Sequence, residues 1–246
     1  MNTNDILQSL PSYSAYLPWL LGGAWVGDRL VTLARIIPEQ VLEEAEAPID
    51  EWQGPGGGLK LPVPAGRRLW VPALNAGIWI YAANTATGEA IWGALILACL
   101  ASTLLLLALA DWDTTMLPDR VVLPLGLAGL GASYAGLTHQ SLIASAASAT
   151  IMLVMLGGLG WVYQQVKGVR GMGGGDLKLL AALAAWWGMQ GVLYIVIASG
   201  IITVLWYAVW RQFKNFSPEA EWPFGPAIVI AALGWSILGT YASGTL

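Results

Sequence analysis

The chain has 246 residues, 57% of them hydrophobic and only 11% charged, with a net charge of −4. A soluble domain carries about a quarter charged residues, so this composition excludes an ordinary water-facing surface. Lipid is the expected solvent, and the 14 Trp and 30 Gly residues suit it: Trp favours membrane interfaces and Gly is common in membrane helices. No basic patch has interleaved aromatics, so no nucleic-acid partner is expected. Met1 to Pro11 lack the basic start of a cleavable signal, so the first apolar stretch reads as a permanent anchor. A membrane helix needs roughly 20 apolar residues. In chain order the predicted spans are Tyr16–Ile36, Glu89–Ala110, Val121–Leu137, Leu142–Val166, Gly191–Trp210 and Phe224–Ser243. Two shorter stretches, Trp70–Asn84 and Leu177–Gly188, are ambiguous by length alone.

Charge placement resolves the ambiguity. Lys and Arg collect in cytoplasmic loops. If both short stretches span, all 11 basic residues fall on one side: Arg29, Arg35, Lys60, Arg67, Arg68, Arg120, Lys167, Arg170, Lys178, Arg211 and Lys214. Removing either span scatters them over both sides. The expected fold is therefore all-α, a polytopic membrane bundle of about eight transmembrane helices, with both termini outside the cytoplasm. It divides into a first transmembrane helix (1–36), a cytoplasmic loop (37–69) and a seven-helix membrane core (70–246).

The loop is acidic early, at Glu39, Glu43, Glu44, Glu46, Asp50 and Glu51, where a short surface helix fits. It then turns Gly-rich at Gly54 to Gly58, which reads as a flexible linker. A phosphate cradle is disfavoured, because no Lys-Ser/Thr pair or helix start follows. The single Cys, Cys99, excludes an internal disulfide and a cysteine-rich zinc site, and is expected to be buried. The single His, His139, sits in a short polar turn without other metal ligands. No internal repeat is evident.

Ionisable residues at membrane depth are costly and point to function. Asp28, Asp111, Asp113 and Asp176 qualify. Asp111 closes one predicted span and Asp176 opens another, both at the basic edge. Two nearby carboxylates share one proton. One then takes a proton from water while the other polarises a peptide carbonyl, which is hydrolysis without metal or covalent intermediate. Gly173, Gly174 and Gly175 precede Asp176; without Cβ atoms they reach φ > 0 and let a substrate backbone approach. Each acid also has a plainer reading. Asp176 suits a helix N-cap, and Asp111 suits a solvated loop. Asp119 is expected to cap the next helix after Pro118, and Asp113, the rival to Asp111, to be solvated. Lys178, if it reached Asp176, would favour the ionised form.

The segment Ala110 to Leu125, with Asp111, Pro118, Asp119 and Pro124, resembles the first catalytic segment of type IV prepilin peptidases. Gly171 to Lys178 resembles their Gly-x-Gly-Asp motif. Pro223-Phe224-Gly225-Pro226 is a third match, and Val26 to Leu30 with Arg35 to Pro38 a weaker one. The resemblance runs from about Ile91 to Trp235. It implies an inner-membrane aspartyl endopeptidase that cleaves the basic leader of prepilins or type II secretion pseudopilins, after a Gly, at the cytoplasmic face. Its partners would be that substrate, membrane lipid and the pilus or secretion assembly machinery. By position, Asp111 and Asp176 are the catalytic pair, Gly173, Gly174 and Gly175 position backbone, and Lys178 matches a basic motif position.

There are departures. Bifunctional members hold zinc through two Cys-x-x-Cys pairs in the first loop, and this loop has no Cys, so no metal is expected. Asp28 stands where a small polar residue is usual, and Ala73 where a Glu is expected. The peptidase reaction needs no cofactor; S-adenosylmethionine enters only if N-methylation of the new terminus is retained. The acidic loop residues would steer the leader weakly over ~10 Å screening lengths. Two other classes remain as alternatives: a proton- or ion-coupled transporter using the paired aspartates, and an inactive assembly scaffold.

Overall fold

A computed structural model describes residues 13–48, 52, 54–85, 91–169, 171–213 and 223–243. Expectations for Met1 to Pro11, Asp50, Glu51, Glu89, Arg170 and Lys214 lie outside the described residues. Those described form a short 3-10 turn, Tyr13–Tyr16, and then α-helices only. They are α1 (Leu17–Glu44), α2 (Arg67–Thr85), α3 (Ile91–Thr114), α4 (Asp119–Tyr134), α5 (Leu142–Lys167), α6 (Gly174–Phe213) and α7 (Gly225–Ser243). The fold is an all-α membrane bundle.

Ile91–Thr114, Leu142–Lys167 and Gly174–Trp210 are long and apolar enough to cross a membrane, and α7 is apolar from Gly225 to Leu238. The other helices fall short for visible reasons. α4 has only 16 residues. α1 carries Asp28, Arg29 and Arg35, and α2 carries Arg67, Arg68 and Asn75.

One boundary differs from expectation. α1 does not stop at Ile36 but runs through Pro38 to Glu44, so Glu39 and Glu43 are helical. α6 consists of two helices that meet at a kink at Gly188, where the predicted segment Leu177–Gly188 ends and just before Gly191–Trp210 begins. There φ is 67° and ψ is −172°, a region open essentially to Gly alone.

The chain divides into two compact units. The first includes α1 up to Thr32, and Val63–Ser102. Here α1 packs on α2 through small residues. A Cβ on Gly23 would lie 2.8 Å from the Ala76 Cα, and one on Gly27 only 2.6 Å from the Pro72 Cα. This small-xxx-small spacing lets two backbones meet. The Asn75 amide donates to the Gly23 carbonyl at 2.8 Å, and the Trp79 indole donates to the Ser102 hydroxyl at 2.9 Å. Buried polar groups need such partners.

The second unit includes Leu33–Pro62 and the chain from Thr103 onward. Its centre is α6, which packs against α4, α5 and α7. Leu179, Leu180, Leu183 and Ile195 of α6 and Ile228 of α7 are fully buried. The Trp186 indole donates to the Leu125 carbonyl at 2.9 Å, and the Ser145 hydroxyl donates to the Ala185 carbonyl at 2.7 Å. On α5 only Ser145, Ser148 and Met152 are buried, a single narrow stripe. Ile143, Val154, Leu159 and Val166 of the same helix are exposed. A face this apolar fits lipid rather than water. Cys99 is exposed on α3, contrary to expectation. A small apolar thiol loses nothing by facing lipid.

Candidate active site

The site lies within the second unit, where the end of α3, the start of α6 and the start of α7 meet. Asp111 is in the last turn of α3 and only 4% exposed. Its Oδ2 accepts a hydrogen bond from the Gly225 N–H at 2.8 Å. That donor is free for a local reason. The Phe224 carbonyl takes the Ala227 and Ile228 N–H groups, and Pro226 has no N–H to offer. The first amides of a helix have no partner of their own and attract an anion. A Cβ at Gly225 would lie 2.8 Å from Asp111 Oδ2 and 3.0 Å from its Cβ and Cγ, so a larger residue would displace the carboxylate. The sequence marked Pro223 to Pro226 as a match without a role; Gly225 is the residue that gives it one.

Asp176 is the third residue of α6 and half-buried. Asp111 lies close enough for its charge to act on Asp176. The two acids, distant in sequence, are thus brought together. A Cβ on Gly173 would lie 2.8 Å from Asp176 Oδ2, and one on Gly175 would lie 2.9 Å from the Leu117 Cβ. A Cβ on Gly174 would meet nothing within 4 Å. None of the three has a positive φ. Gly173 and Gly175 therefore serve close approach, while the positive φ that the sequence allowed is not used. Beside them, a cavity of about 280 Å³ is lined by Gly157, Gly160 and Gln164 of α5 and by Met172, Gly173 and Gly174.

The Lys178 ammonium binds both carboxylate oxygens of Asp119, at 2.6 and 2.8 Å. This corrects the expectation for Asp119. The N-cap of α4 is Pro118, without a side-chain cap, and Asp119 is the first helical residue. There its charge suits the helix dipole while it ties α4 to α6.

Asp113 is not solvated, as expected, but fully buried. The Arg35 Nε donates to its Oδ2 at 3.2 Å, and Arg35 also donates to the Leu61 carbonyl. The Gly54 to Gly58 stretch is likewise no free linker. Gly54 and Gly58 donate to the Asp113 carbonyl at 2.8 and 3.1 Å, and Gly56 donates to the Trp112 carbonyl at 2.9 Å. Trp112 stacks on Trp206 with centroids 5.2 Å apart. Just past the end of α3, Thr115 has a positive φ of 51°, uncommon for a β-branched residue. Asp28 is exposed on α1, in the other unit. Among the described residues, no three His, Cys, Asp or Glu side chains gather as a metal site. With one Cys in the chain, a tetracysteine zinc site does not fit.

With this geometry in place, residues 98–208, which include both acids and the glycine run, match the type IV leader peptidase family. The chain is 34% identical over 146 residues to a prepilin leader peptidase/N-methyltransferase of Xanthomonas campestris pv. campestris, covering 59% of this chain and 49% of the relative. It is 35% identical over 147 residues to a protein of the same name in Pseudomonas aeruginosa, covering 60% and 50%. For that of Aeromonas salmonicida the figures are 33% over 168 residues, covering 68% and 56%. The matched stretch thus spans about half the length of these relatives. No solved structure matches. Nothing in these matches supports the transporter reading.

Proposed function

We propose that this chain is a Gly-x-Gly-Asp aspartyl endopeptidase of the cytoplasmic membrane that removes the basic leader of a prepilin or pseudopilin. The reading is supported by two shielded acids close enough for the Asp111 charge to act on Asp176, and by Gly173, which lies against Asp176 and lines a cavity. The pair shares one proton. The ionised member takes a proton from water, whose oxygen bonds to the scissile carbonyl carbon. The protonated member donates to the carbonyl oxygen, and collapse of the tetrahedral intermediate expels the amine with a proton from the pair. Gly225 holds Asp111 from behind. Gly173 and Gly174, which line the cavity, leave room for an extended substrate backbone.

The active site faces the cytoplasm in this proposal, because the basic residues collect at that edge of about eight crossings. Glu44 is paired with Arg120 at 2.6 Å, which leaves Glu39, Glu43 and Glu46 as the described acids able to steer a basic leader. The pilus or secretion machinery would receive the product.

The test uses purified protein in detergent with a pre-pseudopilin bearing its leader, followed by gel and mass spectrometry. Cleavage is expected with no added metal. Asp111→Asn and Asp176→Asn should each lower the rate by at least about a hundredfold, the scale of one lost acid-base group. Retention of the rate by either variant would sink the reading. A parallel sample with S-adenosylmethionine asks a separate question: a methyl-sized mass gain would add the second activity in the relatives' names.

A further inference from the structure

The Asp111 carboxylate can do its work only if the end of α3 is held still, yet helix ends fray and their last carbonyls lack intrahelical partners. Here those carbonyls are taken by a remote segment. Gly54, Gly56 and Gly58 direct three N–H groups at Trp112 and Asp113, the two residues after Asp111. The segment is locked in turn by Arg35. Its guanidinium, 12% exposed, bridges the fully buried Asp113 carboxylate and the Leu61 carbonyl just past the glycines. The fit is steric as well as polar. A Cβ on Gly56 would lie 2.0 Å from Asp113 Oδ1, and one on Gly54 only 2.3 Å from the Trp112 carbonyl oxygen. All of these residues lie in one compact unit with Asp111, and Arg35 and the glycines lie outside residues 98–208.

We propose that Arg35 and the Gly54–Gly58 segment form a clasp that sets the position of Asp111, with Arg35, Asp113 and Gly56 as positioning residues. This rests on the catalytic reading of Asp111. The clasp touches neither the Asp111 carboxylate nor the cavity, so its loss should lower kcat and leave substrate affinity alone. An error of about 1 Å in a reacting group costs about a hundredfold.

The experiment measures kcat and KM for leader cleavage in the full chain. Gly56→Ala is expected to lower kcat at least tenfold and change KM less than threefold. Gly66→Ala, whose Cβ would meet nothing within 4 Å, serves as the control and should match the parent chain. Arg35→Met alone strands a buried carboxylate and can unfold the protein. Arg35→Met with Asp113→Leu removes both charges, a change that buried ion pairs often tolerate. This pair variant should keep its thermal midpoint and still lose kcat at least tenfold. A Gly56→Ala or folded pair variant with kcat within twofold of the parent would overturn the clasp. An equal loss in kcat and rise in KM would overturn it too, by making the segment part of substrate binding. Failure of the underlying reading is distinguishable, because then Asp111→Asn would itself remain active.

Discussion

The Asp111 carboxylate is almost wholly shielded and accepts a hydrogen bond from the Gly225 N–H. Gly225→Ala places a Cβ against Oδ2 and pushes the acceptor off its donor. A hydrogen bond to a charged group contributes about 1.5–3 kcal/mol, so cleavage should slow by roughly ten- to a hundredfold. Steady-state kinetics on the folded variant checks it. The glycine run separates in the same way. Gly173→Ala and Gly175→Ala meet an Asp176 oxygen and the Leu117 Cβ, so both should lower the thermal midpoint or the rate. Gly174→Ala has open space at its Cβ and should leave the thermal midpoint in place, as scanning fluorimetry would show. The sequence singled out Asp111 and Asp176 as candidates because acids are rare at membrane depth. The role of Gly225 was not legible there, since nothing local reveals that its N–H faces a helix far away in the chain. Asp113 misled for a related reason: its partner Arg35 comes from α1, and burial by a remote arginine leaves no local trace.

At the scale of elements, apolar run length located most of the helices, and the errors cluster at glycines and prolines. Pro38 was read as an end, yet α1 continues through it, because neighbouring turns can absorb one missing hydrogen bond. The glycines at 54 to 58 were read as loose, yet their N–H groups are held by carbonyls that the sequence could not assign to them. Gly188, by contrast, breaks the helix where the sequence reading ended a segment. Its backbone is one that a side chain adopts only with strain of about 1–3 kcal/mol. Its Cβ would also fall 1.6 Å from the Gln140 Nε2. Gly188→Ala should therefore destabilise the protein by at least that strain, measured by thermal unfolding in detergent. Adding Gln140→Ala should relieve the clash and leave the backbone penalty. Complete recovery in the double variant would show that Gly188 is needed for space alone.

For the molecule as a whole, lipid as solvent explains why an apolar composition and an exposed apolar α5 belong to one stable fold. Orientation is a separate matter, and α5 offers the cleanest way to fix it. Its 26 residues span about 39 Å at 1.5 Å per residue, more than a hydrocarbon core of about 30 Å. A helix of this length and composition that crosses the bilayer places its two ends in opposite compartments. Lys167 closes the helix, while no Lys or Arg lies in the turn before Leu142. The end at Lys167 leads directly to Gly171–Asp176, so it should share the side of the candidate site. Replacing the one native cysteine by Cys99→Ser gives a background in which single cysteines report position. His139→Cys should react with a membrane-impermeant maleimide in intact spheroplasts. Val169→Cys, 59% exposed, should react only after permeabilisation. Labelling of Val169→Cys in sealed spheroplasts would put the acids on the outer side, where a leader still held in the cytoplasm could not reach them.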